Sequence, residues 1–213
     1  MKIDKATSYY SCERTELIDM LPSIKGRFLE IGCGSGATLE YIKSKGASYV
    51  AGVDMNSEAI NLASRKNMDF ILFANAERDE LPFVNKEFDC IILADVLEHL
   101  YDPWKLLEKI TQYLKDEGCI LLSIPNIKYY GILNRLIFHD EWTYSKSGIL
   151  DSTHIRFFTL KEIKKLLNFA NLKISECKWN ISSGIKFKIL NTFLFNKLKP
   201  FSVIQYYIKA TKK

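Results

Sequence analysis

Apolar residues recur along this chain in two rhythms, and the two rhythms take turns. Residues 9–21 alternate at helical spacing and stop at Pro22, which predicts a leading helix. Residues 28–31 read as a strand, and residues 37–42 as a helix with Gly46 as its stop. Residues 49–53 form a second predicted strand ending at Asp54, after which Asn56 or Ser57 caps a helix over 58–66. A third strand over 70–73 runs into the polar turn Asn75, Ala76, Glu77. Residues 88–93 are apolar except for Asp89, as in a strand buried on both faces.

Asp102 and Pro103 then open a helix in the preferred order of cap and first-turn proline, with Gly118 as its end near Lys115. A fifth strand over 119–124 closes at Pro125. From 126 to 158 the rhythm breaks into aromatics, histidine and short turns, with one apolar run over 129–138 that reads as a lid helix. Helical spacing resumes over 160–170, and two further strands are predicted over 172–179 and 202–209. Strands alternating with helices imply an α/β fold: a doubly wound, mostly parallel seven-stranded sheet with a lid-like insert after strand five. The expected organisation is one domain over 1–213. It divides into a helical cap (1–26), a ligand-binding half (27–125), an insert (126–158) and a closing helix with strands (159–213).

Composition narrows the classes. The 213 residues are 47% hydrophobic and 26% charged, which are globular values, and the net charge of +5 is weak for a dedicated nucleic-acid binder. Five scattered cysteines form no C-x-x-C pair, so no metal site or disulfide framework is expected and a reducing compartment fits. The first residues are polar, and no apolar run reaches the ~18 needed to span a bilayer, which points to the cytoplasm.

The chemistry concentrates at Glu30-Ile31-Gly32-Cys33-Gly34-Ser35-Gly36. Glycine at every second position weakens any regular element but suits a tight turn that lets a ligand approach the backbone. Strand, glycine turn and helix together are the nucleotide-binding opening of a doubly wound sheet. Gly32-x-Gly34-x-x-Ala37 also fits the loose dinucleotide pattern, with Asp54 placed for ribose hydroxyls, so the turn alone leaves a nicotinamide cofactor open. Three features favour a cationic sulfur nucleoside instead. Glu30 beside a pyrophosphate is electrostatically wrong but beside an ammonium or sulfonium is favourable. No separate substrate domain follows. Asp95-Val96-Leu97-Glu98-His99 puts acids at the carboxyl edge of the sheet.

Taken in order, Glu30-x-Gly32-x-Gly34-x-Gly36, Gly52-Val53-Asp54-Met55, Asn75-Ala76-Glu77-x-x-x-Leu81-Pro82-Phe83 and Asp95-Val96-Leu97-Glu98-His99 resemble the successive motifs of class I S-adenosylmethionine-dependent methyltransferases. The resemblance is to the branch with ubiquinone-type and small-molecule enzymes. It implies S-adenosyl-L-methionine as cofactor. Gly32, Cys33, Gly34 and Gly36 would line its methionine part and Glu30 would sit near the amino group. Asp54 would hold the ribose, Met55 would lie on the adenine face, and Asn75 and Ala76 would meet the adenine edge, with Glu77 counted among the cofactor-binding residues. Relatives often carry Asp at the position of Asn75, whose amide oxygen still accepts. Ala94 and Asp95 would border the methyl-donor end. Residues 148–159, with Asp151, His154 and Arg156, resemble a segment of methyltransferases from bacterial surface-glycan neighbourhoods.

Methyl transfer needs alignment in a dry pocket, and a hydroxyl acceptor gains from a base that titrates near working pH. His99 and His154 are the candidate bases; the alternative for each is a loop-holding hydrogen bond. Tyr129, Tyr130, Trp142 and Tyr144 are candidates to wall the acceptor pocket, and Asp151 and Arg156 to contact the acceptor, against roles in packing and loop fastening. The expected acceptor is a small molecule or a glycan, methylated at oxygen. The basic, aromatic stretch 186–213 offers peripheral contact with a membrane or a lipid-linked substrate. No stable nucleic-acid partner is expected, since the chain lacks an Asn/Asp-Pro-Pro-aromatic motif after strand four. A nucleic-acid methyltransferase and a non-catalytic cofactor-binding protein are the competing readings.

Overall fold

The structure, a computed structural model, describes residues 13–182 and 184–213. A short helix α1 (Thr15–Ile18) precedes β1 (Arg27–Ile31), α2 (Ala37–Ser44), β2 (Tyr49–Asp54), α3 (Ser57–Ala63), β3 (Phe70–Phe73) and β4 (Phe88–Ala94). A 3-10 turn, Leu97–His99, leads to α4 (Pro103–Tyr113), β5 (Leu114–Pro125), α5 (Tyr130–His139) and α6 (Leu160–Phe169). Then come β6 (Leu172–Ile181), α7 (Ile185–Phe193) and β7 (Val203–Lys212).

The seven strands lie in the order β3-β2-β1-β4-β5-β7-β6. The first five pair in parallel, and β7 inserts antiparallel to both β5 and β6. The strand order reverses between β1 and β4, where a crevice opens outside the carboxyl ends of the strands.

Strand alternation sends neighbouring side chains to opposite faces. Leu29, Ile31, Val53, Ile91 and Leu93 pack on one face against Leu106 and Ile110 of α4 and Ile163 and Leu167 of α6. Phe28, Val50, Cys90 and Ile92 pack on the other against Leu17 and Ile18 of α1 and Leu39 and Ile42 of α2. Each fully buried side chain of this size contributes about 1.5–3 kcal/mol. The helix starts follow their caps: Asn56 Oδ1 accepts from Glu58 N (2.9 Å) and Ala59 N (3.0 Å), and Asp102 Oδ1 accepts from Lys105 N (3.1 Å). Gly46 (φ 103°) stands just past α2, as its pattern predicts.

The largest departures from expectation lie at the leading helix, at the junction of α4 and β5, and before β7. The leading helix is confined to Thr15–Ile18 in the described residues; the expected residues 9–12 lie outside them. Helix α4 ends at Tyr113, and β5 begins at once with Leu114 paired to Phe88. Gly118 therefore sits inside β5 and does not end the helix. A Cβ there would meet Leu114 Cδ1 at 2.8 Å and Asp89 O at 3.0 Å, so glycine serves a close crossing beside the register shift between Phe88 and Cys90. The stretch between β6 and β7, read only as a basic tract, contains the helix α7.

Candidate active site

The glycine turn leaves β1 through three residues in the left-handed region: Gly32 (φ 74°), Gly34 (φ 53°) and Gly36 (φ 74°). An L-residue there costs roughly 1–2 kcal/mol. Space is closed as well. A Cβ on Gly32 would lie 2.7 Å from Val96 Cγ2, and one on Gly36 2.0 Å from Met68 Cε. The turn is tied to β2, since Gly32 N (2.7 Å) and Cys33 N (3.2 Å) both donate to Val53 O. Asp54 completes the tie: its Oδ2 accepts from Gly34 N and its Oδ1 from Asn56 N, each at 2.8 Å. Burial nevertheless raises the Asp54 pKa, outweighing those backbone donors. Met55, beside it, is 68% exposed.

Glu30 is buried on the α1/α2 face of β1. Burial pushes its pKa up to about 8, against the lowering effects of the Thr38 hydroxyl and the Arg14 charge, with Asp54 adding to the rise. Its Oε2 has no hydrogen-bond partner. A buried carboxyl beside a second acid, with an oxygen unused, is a seat for a cation. The Cys33 thiol is buried, with its pKa raised by desolvation and then by Glu30 and Asp54. Its Sγ fills the space where Gly52 has no side chain, 2.7 Å from a Cβ built there.

Asp95 ends β4 in the left-handed region (φ 55°), an uncommon posture for a non-glycine residue. Three elements hold it there. Its Oδ1 accepts from Ser123 Oγ of β5 (2.7 Å) and from Gln205 Nε2 of β7, and its Oδ2 pairs with Arg14 Nη2 at 2.9 Å. Arg14 is thus poised between Asp95 and the charge of Glu30. It reaches the candidate site from the leading segment, and the sequence reading did not single it out. The only signal was a basic residue in the leading segment, and nothing local says which strand end it reaches.

On the far side of the crevice, Asn75 Oδ1 accepts from Glu77 N (3.0 Å) and Asn75 N donates to Asp79 Oδ2 (2.8 Å), a self-capped turn after β3. Ala76 O accepts from Lys109 Nζ at 3.1 Å. The Glu77 carboxylate accepts from Asp102 N and so ties this turn to the start of α4. Ala94 is half-buried at the end of β4, next to Asp95.

The 3-10 turn after Asp95 and the end of the insert form a second constellation. Glu98 O accepts from Ile155 N (2.9 Å) and Arg156 N (3.0 Å), which clamps the insert onto the turn. His99 Nδ1 lies 3.1 Å from both Thr153 O and Thr153 Oγ1, and His154 Nδ1 lies 3.0 Å from Ile149 O. Carbonyl partners make each Nδ1 the protonated nitrogen. His154 Nε2 faces Glu98 Oε1 at 3.9 Å, and the two imidazoles meet edge to face with centroids 4.7 Å apart.

The candidate acceptor residues divide. Asp151 is buried, and its Oδ1 accepts from Thr153 N (2.9 Å) and Thr153 Oγ1 (2.7 Å). The Arg156 guanidinium donates to Tyr101 O and lies over the Trp104 ring at 5.6 Å. Both side chains therefore fasten the insert. Tyr129 and Tyr130 pair at 4.7 Å, and Tyr130 stacks on Phe187 of α7 at 4.3 Å. Trp142 packs edge-on to Phe157 at 5.5 Å, and Tyr144 is half exposed. Tyr130 thus packs toward α7, and Trp142 toward the end of the insert. An open groove of about 530 Å³ lined by Asp116, Gly118, Asn171, Lys173 and Lys213 lies at the opposite, amino-terminal edge of the sheet.

The order of strands, the glycine turn and the acids at the carboxyl ends of β1, β2 and β4 define a class I S-adenosylmethionine-dependent methyltransferase fold. Residues 8–176 match the family described as "Methyltransferase domain", and the chain belongs to that family. The cofactor that this family and fold imply is S-adenosyl-L-methionine. Among curated relatives, the chain is 29% identical over 152 residues to "Uncharacterized protein MJ1123" of Methanocaldococcus jannaschii, covering 71% of this chain and 68% of that one. It is 25% identical over 182 residues to "Ubiquinone biosynthesis O-methyltransferase" of Hydrogenovibrio crunogenus, covering 83% and 73%. A solved SAM-dependent methyltransferase from Archaeoglobus fulgidus superposes with a TM-score of 0.68 at 20% identity, covering 97% of this chain and 95% of that one. Among the described residues, no helix is long and apolar enough to cross a membrane.

Proposed function

We propose that this methyltransferase moves the methyl group of S-adenosylmethionine to a hydroxyl oxygen of a small-molecule or glycan acceptor, including lipid-linked forms, in the cytoplasm. The observation that carries the reading is Glu30, buried at the glycine turn with an unpartnered oxygen and raised to about 8. An incoming ammonium and sulfonium relieve that cost, which a pyrophosphate cannot.

In this reading Gly32, Gly34 and Gly36 carry the methionine part, and Asp54 takes the ribose hydroxyls with lone pairs left by its two backbone donors. Met55 and the Asn75 turn flank the adenine. Arg14 leaves Asp95 to meet the cofactor carboxylate. His99 lies in the 3-10 turn that follows Asp95, and His154 of the insert packs edge-on to it, which supports oxygen as the acceptor atom. The printed name of the Hydrogenovibrio relative supports the same choice.

A lipid-linked acceptor draws support from the outer face of α5 and α7. Tyr130 and Phe187 join these helices, and Ile137, Phe138, Ile185, Ile189, Phe193 and Phe195 are all more than half exposed on them or just past α7. Lys197 and Lys199 follow α7 within six residues. Such an apolar, basic surface suits the headgroup region of an anionic bilayer.

Incubation of purified protein and a host-cell extract with methyl-labelled cofactor, followed by mass spectrometry, tests the reading. It predicts label on an oxygen of a glycan or small hydroxylated compound. Label found only on RNA or DNA would overturn it.

A further inference from the structure

Glu98, His99 and His154 each bring one donor atom to within 4.8 Å of the others. Glu98 is 1% exposed and His154 7%. We propose that these three residues bind one divalent transition-metal cation at the carboxyl edge of the sheet, next to the methyl-donor end of the crevice.

The orientation of the imidazoles argues for it first. Each holds Nδ1 against a backbone carbonyl, Thr153 O for His99 and Ile149 O for His154. That is the outer hydrogen bond which fixes a metal-binding histidine and leaves Nε2 as the basic nitrogen. Spacing argues next. The 3.9 Å between His154 Nε2 and Glu98 Oε1 exceeds a charge-assisted hydrogen bond, yet two donors about 2.1 Å from a shared ion lie roughly 3–4 Å apart. Rigidity is the third point. The donors come from two segments far apart in sequence, locked by Ile155 N and Arg156 N on Glu98 O.

The donor set sets the metal class. Two imidazoles and a carboxylate suit zinc, iron, manganese or cobalt better than magnesium or calcium, and they leave coordination positions open. A Cβ on Gly32 would lie 2.7 Å from Val96 Cγ2, and Val96 caps the turn that carries Glu98 and His99, so the cluster sits beside the glycine turn. There the ion takes the acceptor hydroxyl and eases loss of its proton to water. The oxygen then forms its bond to the methyl carbon as the carbon–sulfur bond breaks, and the sulfonium departs as a neutral thioether. This catalytic role rests on the methyl-transfer reading; the ion site itself does not.

Co2+ is the probe. The full chain is stripped with chelator, dialysed and titrated with Co2+, with visible d–d absorption and calorimetry as readouts, and cofactor binding is measured separately. The expected result is one Co2+ per chain, displaced by Zn2+. His99→Gln and His154→Gln should each weaken Co2+ binding by about 100-fold while cofactor affinity stays within about threefold. Wild-type protein that binds the cofactor but gives no cobalt band would overturn the site. So would equal Co2+ uptake by wild type and both variants. Cobalt uptake without cofactor binding would support the site and end the methyl-transfer reading instead.

Discussion

Arg14 Nη2 stands 2.9 Å from Asp95 Oδ2, so the leading segment is pinned to the end of β4 across the mouth of the crevice. Both side chains are partly solvated (28% and 17% exposed), and such pairs contribute ~1 kcal/mol or less to stability. The pair is better placed for ligand binding than for folding. Arg14→Ala should lower affinity for S-adenosylmethionine about tenfold by calorimetry while the melting temperature moves little. A large drop in melting temperature with unchanged affinity would assign Arg14 to the scaffold.

Glu30 makes the apo protein pH-sensitive. Burial holds its pKa at about 8 in the folded state, against the ordinary 4.5 of a solvated glutamate, so between these values the folded state holds a proton that the unfolded state has lost. Stability from this group is therefore present below about 4.5 and falls as pH climbs toward 8. Glu30→Gln should flatten that decline, seen as a smaller loss of stability between pH 6 and about 8 in chemical denaturation. Cofactor binding near pH 7 should release a proton, because an ammonium beside Glu30 favours its charged form. Calorimetry in buffers of different ionisation heat reads that release, and its absence would contradict the placement.

Gly36→Ala should destabilise by about 1–2 kcal/mol, from the left-handed backbone alone. The clash with Met68 Cε adds to that. Met68→Ala in the same chain should recover the steric part and leave the backbone part. Urea denaturation of the two variants separates them.

Phe138→Asp and Phe193→Asp should each reduce co-sedimentation with anionic vesicles several-fold without altering cofactor affinity, since both rings are more than 70% exposed. Equal co-sedimentation of wild type and both variants would leave the α5/α7 face without a role in membrane contact.

Much of the fold was legible because its signals are local. Asn56 and Asp102 announce helix starts, the apolar run after Phe88 announces a buried strand, and three glycines announce the turn. What the sequence hid depends on contacts between distant residues. Gly118 looks like a helix stop, but it answers to Asp89 on the neighbouring strand. Arg14 looks like any helix-flanking cation until β4 brings Asp95 to it. His99 and His154 were each readable as single candidates, but their meeting over Glu98 is set by the path of the insert. The residue types that do chemistry were visible; which of them face one another was not.

Calorimetric titration of wild type, Asp54→Ala and Asp54→Asn with S-adenosylmethionine bears most directly on the central claim, with melting curves to show that each variant folds. One site on the wild-type chain, weakened at least tenfold in both folded variants, is the predicted result. No heat at millimolar cofactor, or equal affinity in all three proteins, would contradict it.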